Sequence, residues 1–250
     1  MTKSIQLSKR LRAIAGMVTA GYRLADIGTD HGYLPIWLLQ NNRIPYAIGM
    51  DIRPGPLEHA RVNMQSAGVS DKMELRLSDG LDQLQEDEAD TIVISGMGGM
   101  LIISILQNAH QKVCSLKELI LSPQSDIPMV RQFLRTNGFV ITDEEVILDV
   151  QKFYTIIKAT PGHDRSCAES DENGVTFEDR FGPILLKKRT DAFLKMLLNQ
   201  METNQQIIDR LESASKTDQN LNRLYELRQK QQEISAVLGN DPHVKGVNNG

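Results

Sequence analysis

The sequence predicts an α/β fold: a seven-stranded, mostly parallel sheet with helices on both faces, followed by a C-terminal antiparallel helical hairpin. Three observations carry that prediction. Between Arg23 and Lys158, short apolar runs ending in turn signals alternate with longer helical patterns, the rhythm of parallel strands joined by crossover helices. Two further strand-like runs follow Asn137-Gly138 and fit the antiparallel edge often added to such a sheet. After Pro161-Gly162 the composition turns polar, and apolar residues then return at helical rather than strand spacing.

Taken in order, the runs YRLADIG, YAIGMDI, MELRLSD, DTIVISG and KELILSP each read as a buried strand closed by a turn residue. Helices are predicted near 33–41, 56–67, 99–110 and 126–137, with Asn137-Gly138 stopping the last. FVITDEEVILD and FYTIIKAT supply the two closing strands. Residues 161–182 read as a connector. Leu186, Phe193, Leu197, Met201, Ile208 and Leu211 then form an apolar stripe, interrupted by SASKTDQN and resumed by Leu224, Leu227, Ile234 and Leu238. Two amphipathic helices joined by a short polar loop make a coiled-coil-like hairpin. The predicted division is a domain over 1–160 and a connector with hairpin over 161–250. The last residues, DPHVKGVNNG, read as a frayed end.

The 250 residues are 40% hydrophobic and 24% charged, the composition of an ordinary globular protein. No run reaches the roughly 18 apolar residues of a membrane helix, and the N-terminus lacks a signal core, so a cytoplasmic protein is expected. Cys114 and Cys167 have no metal-ligand spacing and read as idle thiols, and no metal is expected. The net charge is −4, yet Lys3, Lys9, Arg10, Arg12 and Arg23 precede the first acid, Asp26. A second basic cluster, Arg180, Lys187, Lys188, Arg189 and Lys195, is opposed only by Asp191. Such patches hold phosphates on an otherwise acidic chain, although either is equally well a solvated helix face.

The chemistry concentrates at strand ends. Asp26-Ile27-Gly28-Thr29-Asp30-His31-Gly32 follows the first strand, where a glycine lets backbone approach a ligand at a helix N-terminus. A pyrophosphate-binding loop needs G-x-G-x-x-G; here Asp30 stands between the only two glycines and would repel a pyrophosphate. It would attract the ammonium of a methionine moiety, and D-x-G-x-x-x-G is the fingerprint of S-adenosylmethionine enzymes. The second strand ends in Asp51-Ile52, suited to ribose hydroxyls, and the third in Asp79-Gly80, suited to an adenine amino group. One such acid could merely cap a helix, but three successive ones point to a nucleoside cofactor. The fourth strand ends in Ser95-Gly96-Met97-Gly98-Gly99, where a methyl acceptor would lie. The cofactor-binding candidates are thus Asp26, Gly28, Asp30, His31, Gly32, Asp51, Ile52, Asp79, Gly80, Gly96 and Met97, and the catalytic candidates Asp30 and Ser95.

Leu7-Ser8-Lys9-Arg10-Leu11, Asp26 through Pro35, Ser78-Asp79-Gly80-Leu81, Gly96-Met97-Gly98-Gly99 and the helical extension together resemble the bacterial tRNA (adenine-22-N1)-methyltransferases, the TrmK type. Ser122-Pro123-Gln124 stands where that family carries a Gln-Pro-Asn segment. The resemblance implies a Rossmann-like class I methyltransferase using S-adenosyl-L-methionine on N1 of adenine 22 in tRNA. Lys9, Arg10, Arg12, Tyr33, Lys187, Lys188 and Arg189 are the candidate RNA contacts, and a monomer is expected. A methyltransferase of small molecules or proteins would use the same loops but leave the basic N-terminus idle. A non-catalytic RNA-binding module on the same fold is the other alternative.

Overall fold

The computed structural model describes residues 4–162, 174–214 and 217–239. Lys3, Cys167, half of the acidic connector (163–173) and the DPHVKGVNNG tail lie outside them. The described residues divide into two compact units, 1–187 and 188–250.

In the first unit, α1 (Lys9–Met17) is capped by Ser8, whose hydroxyl accepts from Leu11 N at 3.2 Å. Then come β1 (Leu24–Ile27), α2 (Tyr33–Gln40), β2 (Ala47–Asp51), α3 (Pro54–Ser66), β3 (Met73–Leu77) and β4 (Thr91–Ser95). They are followed by α4 (Gly99–Asn108), α5 (His110–Cys114), β5 (Glu118–Ser122), α6 (Ile127–Thr136), β6 (Phe139–Asp149) and β7 (Lys152–Pro161). All seven strands fall where the apolar runs place them. Asn137 caps α6 and Gly138, at φ 75°, turns the chain into β6. The helix α1 is the one long element missing from the sequence reading.

The sheet order is β3-β2-β1-β4-β5-β7-β6, with β1 to β5 parallel and β7 antiparallel to both its neighbours. From β1 the chain winds to one side through β2 and β3, then crosses back to β4 and β5 on the other. That reversal opens a crevice beyond the carboxyl ends of β1 and β4. Each sheet face carries its own core: Ile94, Ile102, Leu121 and Phe133 on one, and Ile14, Leu24, Ile36 and Ile120 on the other. Burying such side chains contributes about 1.5–3 kcal/mol each.

The division between units falls at Lys187/Lys188 rather than at 160/161, because the connector is tied back to the sheet. Arg131 Nε donates to Glu144 Oε1 at 2.7 Å in the interior, Arg131 Nη1 to the Asp179 carbonyl, and Ile184 N to Glu144 Oε2. The short helix α7 (Phe177–Phe181), closed by a Thr176–Asp179 capping box, is thereby fixed against α6 and β6. The four-residue helix α8 (Leu185–Lys188) spans the division.

The second unit holds α9 (Asp191–Glu212) and α10 (Asp218–Gly239). Gln231 Nε2 reaches Gln205 Oε1 at 3.1 Å and Arg228 reaches Glu212 at 2.7 Å, a register that makes the pair antiparallel, as expected. Leu197, Ile208, Leu227 and Ile234 form the buried stripe.

Candidate functional site

One cavity of about 560 Å³ opens at the carboxyl edge of β1 to β4, within the range of small-molecule sites. Its floor is the loop leaving β1. Gly28 N and Thr29 N both donate to the Met50 carbonyl, at 2.8 and 2.9 Å, which pins the loop across β2. Gly28 holds φ 73°, the left-handed turn that favours glycine, and Met97 Cε packs where its Cβ would be. Asp30 adopts φ 47°, left-handed for a non-glycine residue. Its exposed carboxylate lies 3.7 Å from His31 Nε2.

Asp26 sits beneath this loop at 5% exposure and accepts from Thr29 Oγ1 at 2.8 Å. Burial pushes its carboxyl up to about 6; the threonine opposes this and the nearby Asp51 reinforces it. At the tip of β2, Asp51 is buried and accepts from Arg53 N at 2.9 Å. Ser78, Asp79 and Gly80 bring the β3 tip to the same wall. Opposite, Ser95, Gly96 and Met97 leave β4, and Gln124 N donates to the Met97 carbonyl at 2.9 Å. A Cβ on Gly99 would lie 2.5 Å from the Ser125 carbonyl oxygen, so the loops after β4 and β5 are packed backbone to backbone.

Of the sequence-derived cofactor candidates, Asp26, Gly28, Asp30, His31, Asp51, Ile52, Asp79, Gly80, Gly96 and Met97 line this cavity, as does Ser95. Gly32 does not. It is the left-handed cap of α2, packed against Ala60, Ile36 and Met73, and sets the direction of that helix. Arg10 and Tyr33 reach the cavity wall, whereas Lys9 and Arg12 lie exposed on α1. Lys187 and Lys188 are exposed on α8. Arg189 serves the fold, since its Nη1 donates to the Val237 carbonyl at 2.9 Å near the end of α10.

Thr29, Ser78 and Gln124, which the sequence motifs include but do not mark as site residues, also line the cavity. Sequence reasoning passes over His59, which stacks on His31 with centroids 5.1 Å apart, as does Tyr33 at 5.2 Å. The helical pattern offers no sign that His59 on α3 would meet a loop 28 residues earlier in the chain.

The donor set suits a charged nucleoside. Carboxylates end three successive strands, and the most buried of them, Asp26, is destabilised by burial in a way that a cationic ligand would relieve. An open parallel sheet with this wall at its switch point is a Rossmann-like methyltransferase architecture.

Residues 7–157 match the family described as "Methyltransferase domain". The tRNA (adenine(22)-N(1))-methyltransferase of Bacillus subtilis (strain 168) is 32% identical over 234 residues, covering 94% of this chain and 98% of the relative. The crystal structure of the B. subtilis m1A22 tRNA methyltransferase TrmK superposes with a TM-score of 0.81 at 32% identity, over 94% of this chain and 100% of the other. M. capricolum TrmK, in complex with the cofactor product S-adenosyl-homocysteine, superposes with a TM-score of 0.76 at 26% identity, over 93% and 98%. The chain belongs to the tRNA (adenine(22)-N(1))-methyltransferase family.

Proposed function

We propose that this protein transfers the methyl group of S-adenosyl-L-methionine to N1 of adenine 22 in tRNA. The observation that carries the reading is the convergence of Asp26, Asp51 and Asp79 with the Ser95–Met97 wall on one cavity, in a chain of this family. When bound, S-adenosyl-L-methionine supplies an electrophilic methyl group on a sulfonium. Asp26 and the Gly28 loop would hold the methionine end, Asp51 would accept from ribose hydroxyls, and Asp79 with Gly80 would read the adenine.

Adenine N1 carries its own in-plane lone pair, so no strong base is required of the protein. Ser95, Gly96 and Met97 serve to align the acceptor and exclude water. Methylation leaves a positive charge on the base, and the Asp30 carboxylate is the group suited to stabilise it. N1 lies on the Watson–Crick edge, so a paired target must leave its helix, and Tyr33 would support the exposed base. Lys9, Arg10, Arg12, Lys187 and Lys188 would bind phosphates, with affinity falling steeply in salt. The α9–α10 pair buries its own apolar stripe, which supports a monomer, and the tRNA substrate implies the cytoplasm. Among the described residues no helix is long and apolar enough to cross a membrane.

The test mixes purified protein, labelled S-adenosyl-L-methionine and unmodified tRNA transcripts, and identifies the product nucleoside by mass spectrometry. The expected product is 1-methyladenosine, lost when adenine 22 is replaced. Binding of S-adenosylhomocysteine without transfer to any tRNA would instead favour a small-molecule or protein acceptor.

A further inference from the structure

The β6–β7 hairpin reaches past the sheet edge that bears the cavity. Pairing of β5 with β7 ends at Leu121↔Ile157, but pairing of β6 with β7 continues to Asp149↔Lys152. Residues 152–156 therefore run on beyond the last β5 pair, about 17 Å at 3.4 Å per residue. The turn itself is Val150-Gln151, both left-handed at φ 45° and 63°. Two-residue turns of this kind favour Asn-Gly, and a β-branched residue there is strained. Val150 is nonetheless 92% exposed, and Leu148 beside it is exposed too. An apolar side chain held in a strained turn and offered to solvent does nothing for the fold.

The root of this hairpin is cationic and joined to the cavity. The Arg10 guanidinium lies 4.9 Å from the Tyr154 ring centroid, and Lys152 Nζ lies 5.3 Å from the same ring. Arg10 also lines the cavity, its Nη1 being 3.6 Å from where a Gly96 side chain would begin. The local acid, Asp149, is engaged in accepting from Arg10 N at 3.2 Å, at the N-terminus of α1, where the helix favours a negative charge. Two cations fixed on one ring thus stand between the acceptor side of the cavity and an apolar tip.

We propose that the β6–β7 hairpin is an RNA-holding arm: Arg10 and Lys152, ordered on Tyr154, take backbone phosphates next to the target adenosine, and Val150 packs against the bases uncovered when that adenosine leaves its helix. The inference rests on the tRNA reading above. Phosphate contacts fix register, and apolar wedges against base steps are a known means of holding a helix open. The Val150→Asn variant removes the wedge while relieving the turn, so it folds at least as well. Lys152→Glu reverses one phosphate contact at an exposed position.

The experiment compares wild type, V150N and K152E for S-adenosylhomocysteine affinity, kcat and KM for tRNA, and the salt dependence of tRNA binding. For K152E the expected result is a KM roughly tenfold higher and a log–log salt slope shallower by about one, with cofactor affinity unchanged. V150N is expected to lower kcat/KM several-fold on intact tRNA and to regain wild-type rates on a transcript whose target adenosine is already unpaired. Wild-type values for both variants on intact tRNA would overturn the arm. A wild-type protein that binds S-adenosylhomocysteine but methylates no tRNA would instead remove the parent reading, and the arm with it.

Discussion

At the amino edge of the sheet, Asp90 lies between Arg23 Nε at 3.0 Å and Lys117 Nζ at 3.1 Å, while Glu118 holds Lys158 Nζ at 2.8 Å and accepts from Thr19 and Thr91. At the carboxyl edge, Asp26 is as deeply buried and has a threonine hydroxyl and a second carboxylate for neighbours. The consequence is visible in proton affinity. The Arg23 guanidinium holds Asp90 well below the usual carboxylate range, whereas burial lifts Asp26 to about 6. Acids at one end of the strands are matched within the fold and stabilise it. Asp26, at the other end, has no cation beside it, and the fold bears that cost until a cationic ligand binds.

The sharpest way to break this contrast is at Glu118. Glu118→Ala leaves Lys158, only 19% exposed, without its carboxylate, and is expected to cost about 3–5 kcal/mol of stability. Chemical denaturation measures this, and S-adenosylhomocysteine affinity of the folded fraction should not change. The mirror experiment is Asp51→Ala, expected to weaken S-adenosylhomocysteine binding by roughly 10- to 100-fold, as for lost hydrogen bonds to a charged group. Calorimetric titration reads the affinity, and the melting temperature of the unliganded protein should stay within a few degrees. Equal affinity in wild type and D51A would remove Asp51 from the proposed ribose site.

The third effect is a pH dependence. Because the Asp26 carboxyl is raised by folding, the native state keeps a proton that the unfolded chain has released between about pH 4 and pH 6. The contribution of Asp26 therefore falls as pH rises through that window, the reverse of Asp90, whose contribution is lost as pH falls. Asp26→Asn should gain stability over wild type with rising pH, approaching about 3 kcal/mol well above pH 6. A stability difference that is flat with pH would mean that Asp26 is solvated in the free protein.

The parallel strands are legible because each is a short apolar run ended by glycine, proline or aspartate, and the β1 loop because Asp26, Gly28 and Asp30 fall within five residues. What escaped is what depends on distant partners. In α1, Ile14, Ala15 and Met17 are buried and Leu11 is half-buried, but the adjacent strand runs dominate the pattern. The connector reads as polar, with Asp179 and Arg180 charged, although Arg131, paired with Glu144 in the interior, donates to the Asp179 carbonyl 48 residues further along the chain. Gly32 looks like a ligand-binding glycine by spacing, and in the fold it caps α2 outside the cavity lining. Tyr154 looks like any strand tyrosine until α1 brings Arg10 against it.

The strand order has a kinetic consequence. The β6–β7 hairpin is local, closed by a two-residue turn, and can form within microseconds. The central strand β1 must instead find β2 and β4, and the latter is reached only after the whole β2–β3 excursion has been laid down. The cavity exists only once β1 and β4 are paired. A chain arrested before this point has no pocket to fill, so the nucleoside ligand selects completed molecules and withdraws them from the unfolding equilibrium by mass action.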